Sequence, residues 1–260
     1  MHTETEQMAK TSRVPALDRT MAILEALQKN HHMNVSEIIA QTGLPRSTVY
    51  VLIEEMVSLG LIRRNHDSSV QLWMKLISLG NSASEALDLK EVLNPHLEYL
   101  LNNVDCLAVH FGIMDGDRAY YAIKKTSPKA GVRLMSREGA EISLVHAGIG
   151  KCLLAYQESG LRERILSNLD YTPITPTSIT SPEALRRELA NIRLQGWAFD
   201  NSEGEAEIRC VAVPVFGHER NLLGSISIVG TLNKFNSETI PAVVEMLKKC
   251  ARDITDSLIL

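Results

Sequence analysis

Several features that would assign a function class at once are absent from this 260-residue chain. It has only four cysteines and no C-x-x-C pair, which argues against a disulfide framework and a cysteine-based zinc site. No apolar run approaches the ~20 residues that a membrane-spanning helix needs. The polar start, MHTETEQMAKTSR, lacks the apolar core of a secretory signal. We therefore expect a cytoplasmic protein without a membrane partner.

A strong net charge is absent as well. The net charge of −4 argues against a protein that coats nucleic acid by bulk electrostatics. Residues 1–80 hold eight basic and eight acidic side chains, so a DNA contact in this part must come from a local arrangement of bases. The length suits two domains, each with a core of its own.

The most informative stretch is residues 35–62, which read VSEIIAQTGLPRSTVYVLIEEMVSLGLI. We expect a short helix capped by Ser36 and ended by Gly43, then a second helix with Pro45 at its first position. Two β-rich runs around the polar turn NHDSS predict a wing. A winged helix-turn-helix places its second helix in the major groove of duplex DNA.

The second helix has one face that is free to contact DNA. Its apolar stripe, Val49, Leu52, Ile53 and Met56, should face the core, which leaves the opposite side exposed. Arg46 is the candidate for reading a guanine edge, while hydroxyls at the helix N-terminus suit a phosphate. Two arginines of the wing could follow the backbone or enter the minor groove. The predicted DNA-binding residues are Arg13, Arg19, Pro45, Arg46, Ser47, Thr48, Tyr50, Val51, Arg63 and Arg64.

The rest of the chain predicts an α+β architecture. A first helix should cover residues 16–30, with Leu17, Met21, Leu24 and Leu27 as its apolar stripe. After a linker helix, Asn94 and Pro95 should open another helix. The β-rich runs CLAVHFGIM and AYYAIKK flank a hairpin turn, IRCVAVPVF and LLGSISIV follow later, and Ser237 should cap a final helix.

These segments resemble the IclR family of bacterial transcription regulators. The motifs that carry the resemblance are LDRTMAILEAL, GLPRSTVY, GIGKCLLA, GWAFDN, IRCVAVPVF and SISIVG, in that order, and they extend the likeness from Leu17 nearly to the C-terminus. The resemblance implies a winged helix-turn-helix, a linker helix and a GAF-like antiparallel-sheet effector domain. The expected domains are an N-terminal arm at 1–12, a DNA-binding domain at 13–77, a linker helix at 78–92 and an effector and oligomerisation domain at 93–260.

The resemblance also implies a function. A regulator of this kind binds a pseudo-palindromic double-stranded operator as a homodimer or a dimer of dimers. A small carboxylate or sugar-acid metabolite bound in the C-terminal domain changes its affinity for the operator. We expect a repressor of catabolic genes rather than an activator, with no cofactor, no metal and no catalytic residue.

By the same resemblance, the effector is held near Gly148, Ile149, Asp200, Cys210 and Ser227. Apolar walls are expected from Leu134, Ile142 and Ile208. Arg133 or His146 is a candidate for supplying positive charge to an acid, and the alternative for His146 is packing in the sheet. Small side chains on neighbouring strands would leave room for a ligand there.

The sequence departs from the family pattern at several positions that bear on function, among them Ala147, Gly148, Ser202 and Glu207. Val229 stands where many members have a second ligand-binding serine, which predicts a different effector. Val51 stands where members often have arginine, which predicts a different operator preference.

Two other function classes stay open at this point. An enzyme could use Cys210 as nucleophile, with His146 as base and Asp200 to orient it, although no local signature supports this arrangement. A protein-interaction scaffold could use the winged domain without DNA. Steep salt dependence of binding would separate a DNA-binding protein from a scaffold.

Overall fold

The computed structural model describes residues 14–85, 89–132, 134–217 and 220–258, with side chains described up to residue 83 in the first of these ranges. The chain divides into two units, Met1–Ala86 and Leu87–Leu260. Among the described residues, no helix combines the length and the apolar character needed to cross a bilayer.

The first unit is a winged helix-turn-helix. Its small antiparallel sheet has the strand order β1-β3-β2, and its core contains Ile23, Ile38, Val49 and Ile53. The elements are α1 (Pro15–Asn30), β1 (His32–Met33), α2 (Val35–Thr42), α3 (Arg46–Ser58), β2 (Ile62–Arg64), β3 (Val70–Leu72) and α4 (Met74–Glu85).

The turn between α2 and α3 depends on a cap other than the predicted one. Asn34, not Ser36, caps α2: its side chain accepts from the Glu37 N–H at 3.0 Å, while the Glu37 carboxylate accepts from the Asn34 N–H at 2.7 Å. Gly43 ends α2 in the left-handed region at φ 68°, as predicted. Pro45 is the N-cap of α3 rather than its first helical residue, because α3 begins at Arg46.

The predicted apolar stripe of α1 is wrong in its first half. Leu17 and Met21 are exposed, and the residues of α1 that reach the core are Ile23, Ala26 and Leu27. Periodicity alone could not separate the two sets, because both recur at helical spacing.

The second unit is built on a five-stranded antiparallel sheet with the strand order β5-β4-β8-β7-β6. Helices cover both of its faces, which confirms the α+β prediction. The elements are α5 (Lys90–Asn103), β4 (Ala108–Asp115), β5 (Arg118–Thr126), α6 (Gly148–Ala155), α7 (Ser159–Leu166), α8 (Pro182–Gln195), β6 (Ala198–Asn201), β7 (Ile208–Phe216), β8 (Leu222–Thr231) and α9 (Ile240–Ser257).

The two faces of this sheet have different chemistry. One face is apolar, with Val109, Phe111, Val211 and Ile228 packed in one core cluster with residues of α5 and α9. On the other face, direct cross-strand partners include the pairs Cys210–Val229, Ala212–Ser227 and His110–Ser227. Since paired residues project to the same side, small and polar side chains collect there.

Helix boundaries around the linker differ from the prediction. The described residues of the predicted linker helix at 78–92 belong to α4 up to Glu85 and to α5 from Lys90, and residues 86–88 lie outside the described residues. Pro95 lies inside α5 rather than at its start. Thr239, not Ser237, is the N-cap of α9. Helix α7 and the edge strand β6 were not predicted.

Candidate nucleic-acid interface and ligand cavity

The outward face of α3 presents the residues that its periodicity predicts. Tyr50 is 40% exposed and Val51 63% exposed, while Val49 and Ile53 are buried. The Arg46 guanidinium lies 5.5 Å from the centre of the Tyr50 ring, and its Nη2 donates to the Tyr50 hydroxyl at 3.4 Å. This contact holds the arginine against the first turn of the helix.

The N-terminus of α3 has no side-chain cap, because its N-cap residue is Pro45. Arg46 and Ser47 are exposed there, and Thr48 is half-buried. Backbone N–H groups in the first turn of a helix have no intrahelical acceptor and carry partial positive charge. This end of α3 is therefore suited to a phosphate oxygen.

The wing holds its two arginines in different ways. The Arg63 guanidinium stacks 3.8 Å from the centre of the Trp73 ring. Arg64 donates to the Glu54 carboxylate at 2.5 Å, which ties the wing to α3 and partly offsets its charge. Arg19 is exposed on α1, and Arg13 lies outside the described residues.

A cavity of about 310 Å³ lies on the polar side of the large sheet. Every predicted ligand-binding residue except Ile142 lines it. Ile142 is buried deeper, where its Cδ1 fills the space beside Gly112. The lining residues are His110, Tyr121, Leu134, Met135, Ser136, Ala140, Glu141, Ser143, His146, Ala147, Gly148, Ile149, Ile174, Asp200, Gly204, Glu205, Ile208, Cys210, Ser227 and Val229.

The N-terminus of α6 forms one wall of this cavity, and it packs too closely for a side chain at Gly150 and leaves little room for one at Gly148. A Cβ on Gly150 would lie 2.1 Å from the Ser143 carbonyl oxygen, closer than any real contact. A Cβ on Gly148 would lie 3.2 Å from the Cys210 carbonyl oxygen. The preceding Ala147 cannot cap the helix with a side chain. The G-x-G turn therefore brings uncapped backbone N–H groups close to the sheet.

Two carboxyl groups on the wall hold protons more readily than usual. Burial raises the pKa of Asp200 to about 7, although the Glu203 N–H donates to its carboxylate at 2.7 Å. Burial also raises the pKa of Glu205, while the Met135 N–H and the charge of Lys124 oppose this. The cavity thus has weakly acidic groups where a fully charged carboxylate would be expected.

A buried lysine organises the loop that carries these carboxyls. Lys151 is 1% exposed, and its ammonium group donates to Glu203 Oε1 and to the Phe199 carbonyl oxygen, both at 2.6 Å. Glu188 accepts from it at 3.3 Å. Because the Glu203 backbone N–H donates to the Asp200 carboxylate, Lys151 fixes the wall of the cavity without lining it.

A histidine in the middle of β4 is the most buried titratable group of the lining. His110 Nε2 is 3.0 Å from the Ser136 hydroxyl, and Nδ1 is 3.5 Å from the Ser227 hydroxyl. The ring lies against Tyr121, with centroids 4.9 Å apart. Burial, with a smaller effect of the Lys124 charge, lowers the pKa of His110 to about 3. The imidazole is therefore neutral at physiological pH.

Comparison with known proteins matches both units to one family. The family model for the bacterial transcriptional regulator IclR C-terminal domain matches residues 81–256, and the IclR helix-turn-helix domain matches residues 16–66. The uncharacterized HTH-type transcriptional regulator RhmR of Escherichia coli K12 is 39% identical over 248 residues, covering 95% of each chain. The HTH-type transcriptional regulator KdgR of the same organism is 31% identical, covering 93% of this chain and 92% of KdgR. This chain belongs to the IclR family of bacterial transcription regulators.

Solved structures agree with this assignment. The crystal structure of Thermotoga maritima IclR has a TM-score of 0.75 at 30% identity, covering 93% of this chain and 98% of that one. An IclR homolog from Microbacterium hydrocarbonoxydans, complexed with 4-hydroxybenzoate, has a TM-score of 0.78 at 28% identity, covering 94% and 98%.

As an IclR-family member, the chain combines a helix-turn-helix DNA-binding domain with a C-terminal effector domain, and it is a regulator rather than an enzyme. The side chains agree with the comparison. Burial raises the pKa of the Cys210 thiol to about 12, so little of it is the nucleophilic thiolate at neutral pH. His146, the base of the enzyme alternative, has its Nε2 3.2 Å from the Ile179 carbonyl oxygen.

Sequence reasoning missed the polar half of the cavity of this IclR-family regulator. His110, Tyr121, Ser136 and Glu205 line it but match no motif. One feature of the sequence could have identified His110. It is a polar residue in the apolar run of β4, and because it follows Val109 directly, its side chain lies on the opposite face of the sheet. Arg133, predicted as a source of positive charge, lies outside the described residues.

Proposed function

We propose that this regulator is a repressor of catabolic genes whose operator affinity changes when a small carboxylate or sugar acid enters the 310 Å³ cavity. The observation that carries this proposal is the cavity itself, because it combines a confined volume, apolar walls and convergent polar groups. The solved relative complexed with 4-hydroxybenzoate supports a carboxylate ligand, and we extend that ligand class to this chain. Regulation of transcription at a chromosomal operator would place the protein in the cytoplasm.

The N-terminus of α6 is the proposed position of the effector carboxylate. Gly148 and Ile149 border the cavity at this helix end, where Ala147 provides no side-chain cap and the helix dipole favours negative charge. The Ile149 N–H already donates to the Cys210 sulfur, so the Gly148 N–H is the proposed donor to the carboxylate. Asp200, Cys210 and Ser227 would contact the rest of the ligand, with Leu134 and Ile208 as apolar walls.

Operator recognition is assigned to α3 and the wing. We propose that Arg46 reads a base edge, that Ser47 and Thr48 bind a phosphate, and that Tyr50 and Val51 contact the groove. Arg63 and Arg64 would follow the DNA backbone, with Pro45 and Arg19 close to it and Arg13 in the N-terminal arm. The exposed α3 face and the uncapped helix end support these roles.

A homodimer, or a dimer of dimers, on a pseudo-palindromic operator completes the proposal. Exposed apolar side chains on two helices of the first unit support a second copy as partner, because they would be buried at such an interface. They are Val14, Leu17 and Met21 at and near the start of α1, and Met74, Ile77 and Leu79 of α4. Light scattering at micromolar concentration should give at least a dimer, and a monomer would contradict this part.

The first experiment is selection of bacterial genomic fragments by the full-length protein across a salt series, with and without pooled small carboxylic and sugar acids. We expect a few enriched sites that share a pseudo-palindrome, a steep loss of binding with salt, and release of these sites by the acids. Enrichment that is the same with and without the acids would contradict their role as effectors. No enrichment under either condition would contradict operator binding.

A further inference from the structure

We propose that His110 is the specificity-determining residue of the effector cavity and that it selects hydroxylated carboxylates over apolar and aromatic ones. This inference rests on the proposed effector binding and adds a residue and a selection rule to it. The chemical basis is a row of hydrogen-bonding groups, Ser136–His110–Ser227, that runs from the loop after β5 across two strands of the sheet.

The position of His110 makes it part of the cavity wall rather than of the core. It lies on β4 directly opposite Ser227 of β8, on the polar face of the sheet. Its side chain is 2% exposed, and both ring nitrogens face serine hydroxyls at 3.0 and 3.5 Å. An apolar ligand that displaced either serine contact would leave a buried polar nitrogen without a partner, which is costly.

The charge state of His110 decides what it can bind. Burial in the sheet, with a smaller effect of the Lys124 charge, lowers the pKa of His110 and keeps the imidazole neutral, with one nitrogen as donor and the other as acceptor. A neutral imidazole offers no ion pair to a carboxylate. It matches a hydroxyl group, which both donates and accepts. Serine hydroxyls on either side can reverse their direction, so the row can present a donor or an acceptor to the ligand.

Other lining groups favour the same chemistry. Asp200 and Glu205 border the cavity with carboxyl groups that can form hydrogen bonds with hydroxyl groups of a ligand. With the ligand carboxylate at the start of α6, hydroxyl groups along the rest of the ligand would satisfy these acceptors and the row. A purely apolar or aromatic acid would remove water from these polar groups without offering hydrogen bonds in its place.

The test compares straight-chain aldonates of several stereochemistries with fatty acids of the same chain lengths and with 4-hydroxybenzoate. Thermal shift screening of the full-length protein selects the best aldonate, and isothermal titration measures its affinity. We expect that aldonate to bind on the order of a hundredfold more tightly than the matched fatty acid.

Two variants then isolate the histidine. His110→Phe keeps an aromatic ring of similar size but removes both nitrogens, and it should weaken aldonate binding by about ten- to a hundredfold while fatty-acid binding is unchanged or tighter. His110→Asn restores one donor and one acceptor and should recover part of the preference. His96→Phe, a substitution on α5 away from the cavity, is the control and should behave as wild type.

The outcomes separate this inference from the proposed function. If wild type binds none of these acids, the proposed effector class fails, and the inference with it. If fatty acids or 4-hydroxybenzoate bind as tightly as the best aldonate, effector binding stands but hydroxyl selection is overturned. If His110→Phe weakens all acids equally in a folded protein, the histidine supports the cavity without determining specificity, and the inference is wrong.

Discussion

The DNA-reading surface and the effector cavity are built from the chain in opposite ways. The reading surface comes mostly from one helix, α3, where residues three and four apart share a face. The cavity collects side chains from all five strands of the large sheet, the start of one helix and three loops that are far apart in sequence. A site on one helix follows from local periodicity, whereas a site made by sheet topology requires the fold.

The two sites also differ in electrostatic environment. The arginines of α3 and the wing are exposed, so their interactions with each other are weak and are screened by salt. In the cavity and the loop beside it, His110, Asp200 and Glu203 are buried, and burial shifts their pKa values. Substitutions in the cavity wall should therefore alter stability, and those on α3 should alter DNA binding alone.

The largest effect should come from Lys151. Replacement by Met leaves Glu203 buried without its cation and should lower the free energy of unfolding by about 3–5 kcal/mol. Urea denaturation, followed by a spectroscopic signal of the effector domain, measures this loss. Lys234→Met breaks a surface ion pair with Asp105 and should cost only about 0–1 kcal/mol. Equal losses in the two variants would refute a special role for the buried network.

Asp200 should make stability fall as pH rises. Its folded-state pKa of about 7 lies above the ordinary value of 3.8, so its contribution is fully present below that value and is lost as pH rises through 7. Asp200→Asn should remove up to about 4 kcal/mol of this pH dependence. His110 acts oppositely, since its lowered pKa favours the folded state at high pH. Thermal melting of the wild type and of Asp200→Asn at several pH values between 4 and 8 measures this contribution. If the melting temperatures of the two proteins changed in parallel with pH, the prediction would be wrong.

The limits of sequence reasoning follow from the same contrast. The exposed face of α3, the wing and the hairpin between β4 and β5 were predicted, because each depends on residues close together in the chain. The G-x-G-K motif located the cavity through the family resemblance. His110 and Glu205 could not be placed, because their proximity depends on strand order and on a loop folded over the sheet. Ile142 was predicted as a cavity wall but packs beside Gly112 instead. The sequence could not show this, because that contact is set by the tertiary structure.

Arg46 should affect DNA binding without affecting stability. Arg46→Ala should weaken binding to the selected operator by about 1–3 kcal/mol and binding to random DNA very little, because a base contact is lost. Fluorescence anisotropy at several salt concentrations measures both affinities. Arg187→Ala, which removes an exposed arginine of α8 in the other unit, should change neither. Equal losses on the two DNAs would mean that Arg46 binds a phosphate.

The smallest effect should come from the cap that orients α2 in front of the reading helix. Asn34→Ala removes the side-chain acceptor of the capping box and should lower stability by about 1 kcal/mol. Ser36→Ala is the matched control, since Ser36 lies inside α2 and makes no cap; it should leave the melting temperature nearly unchanged. If the serine variant lost more than the asparagine variant, the sequence-based choice of Ser36 as the cap would be right and the capping box would not operate in solution. If only the asparagine variant also weakens operator binding, the start of α2 contributes to the geometry of the helix-turn-helix as well as to its stability.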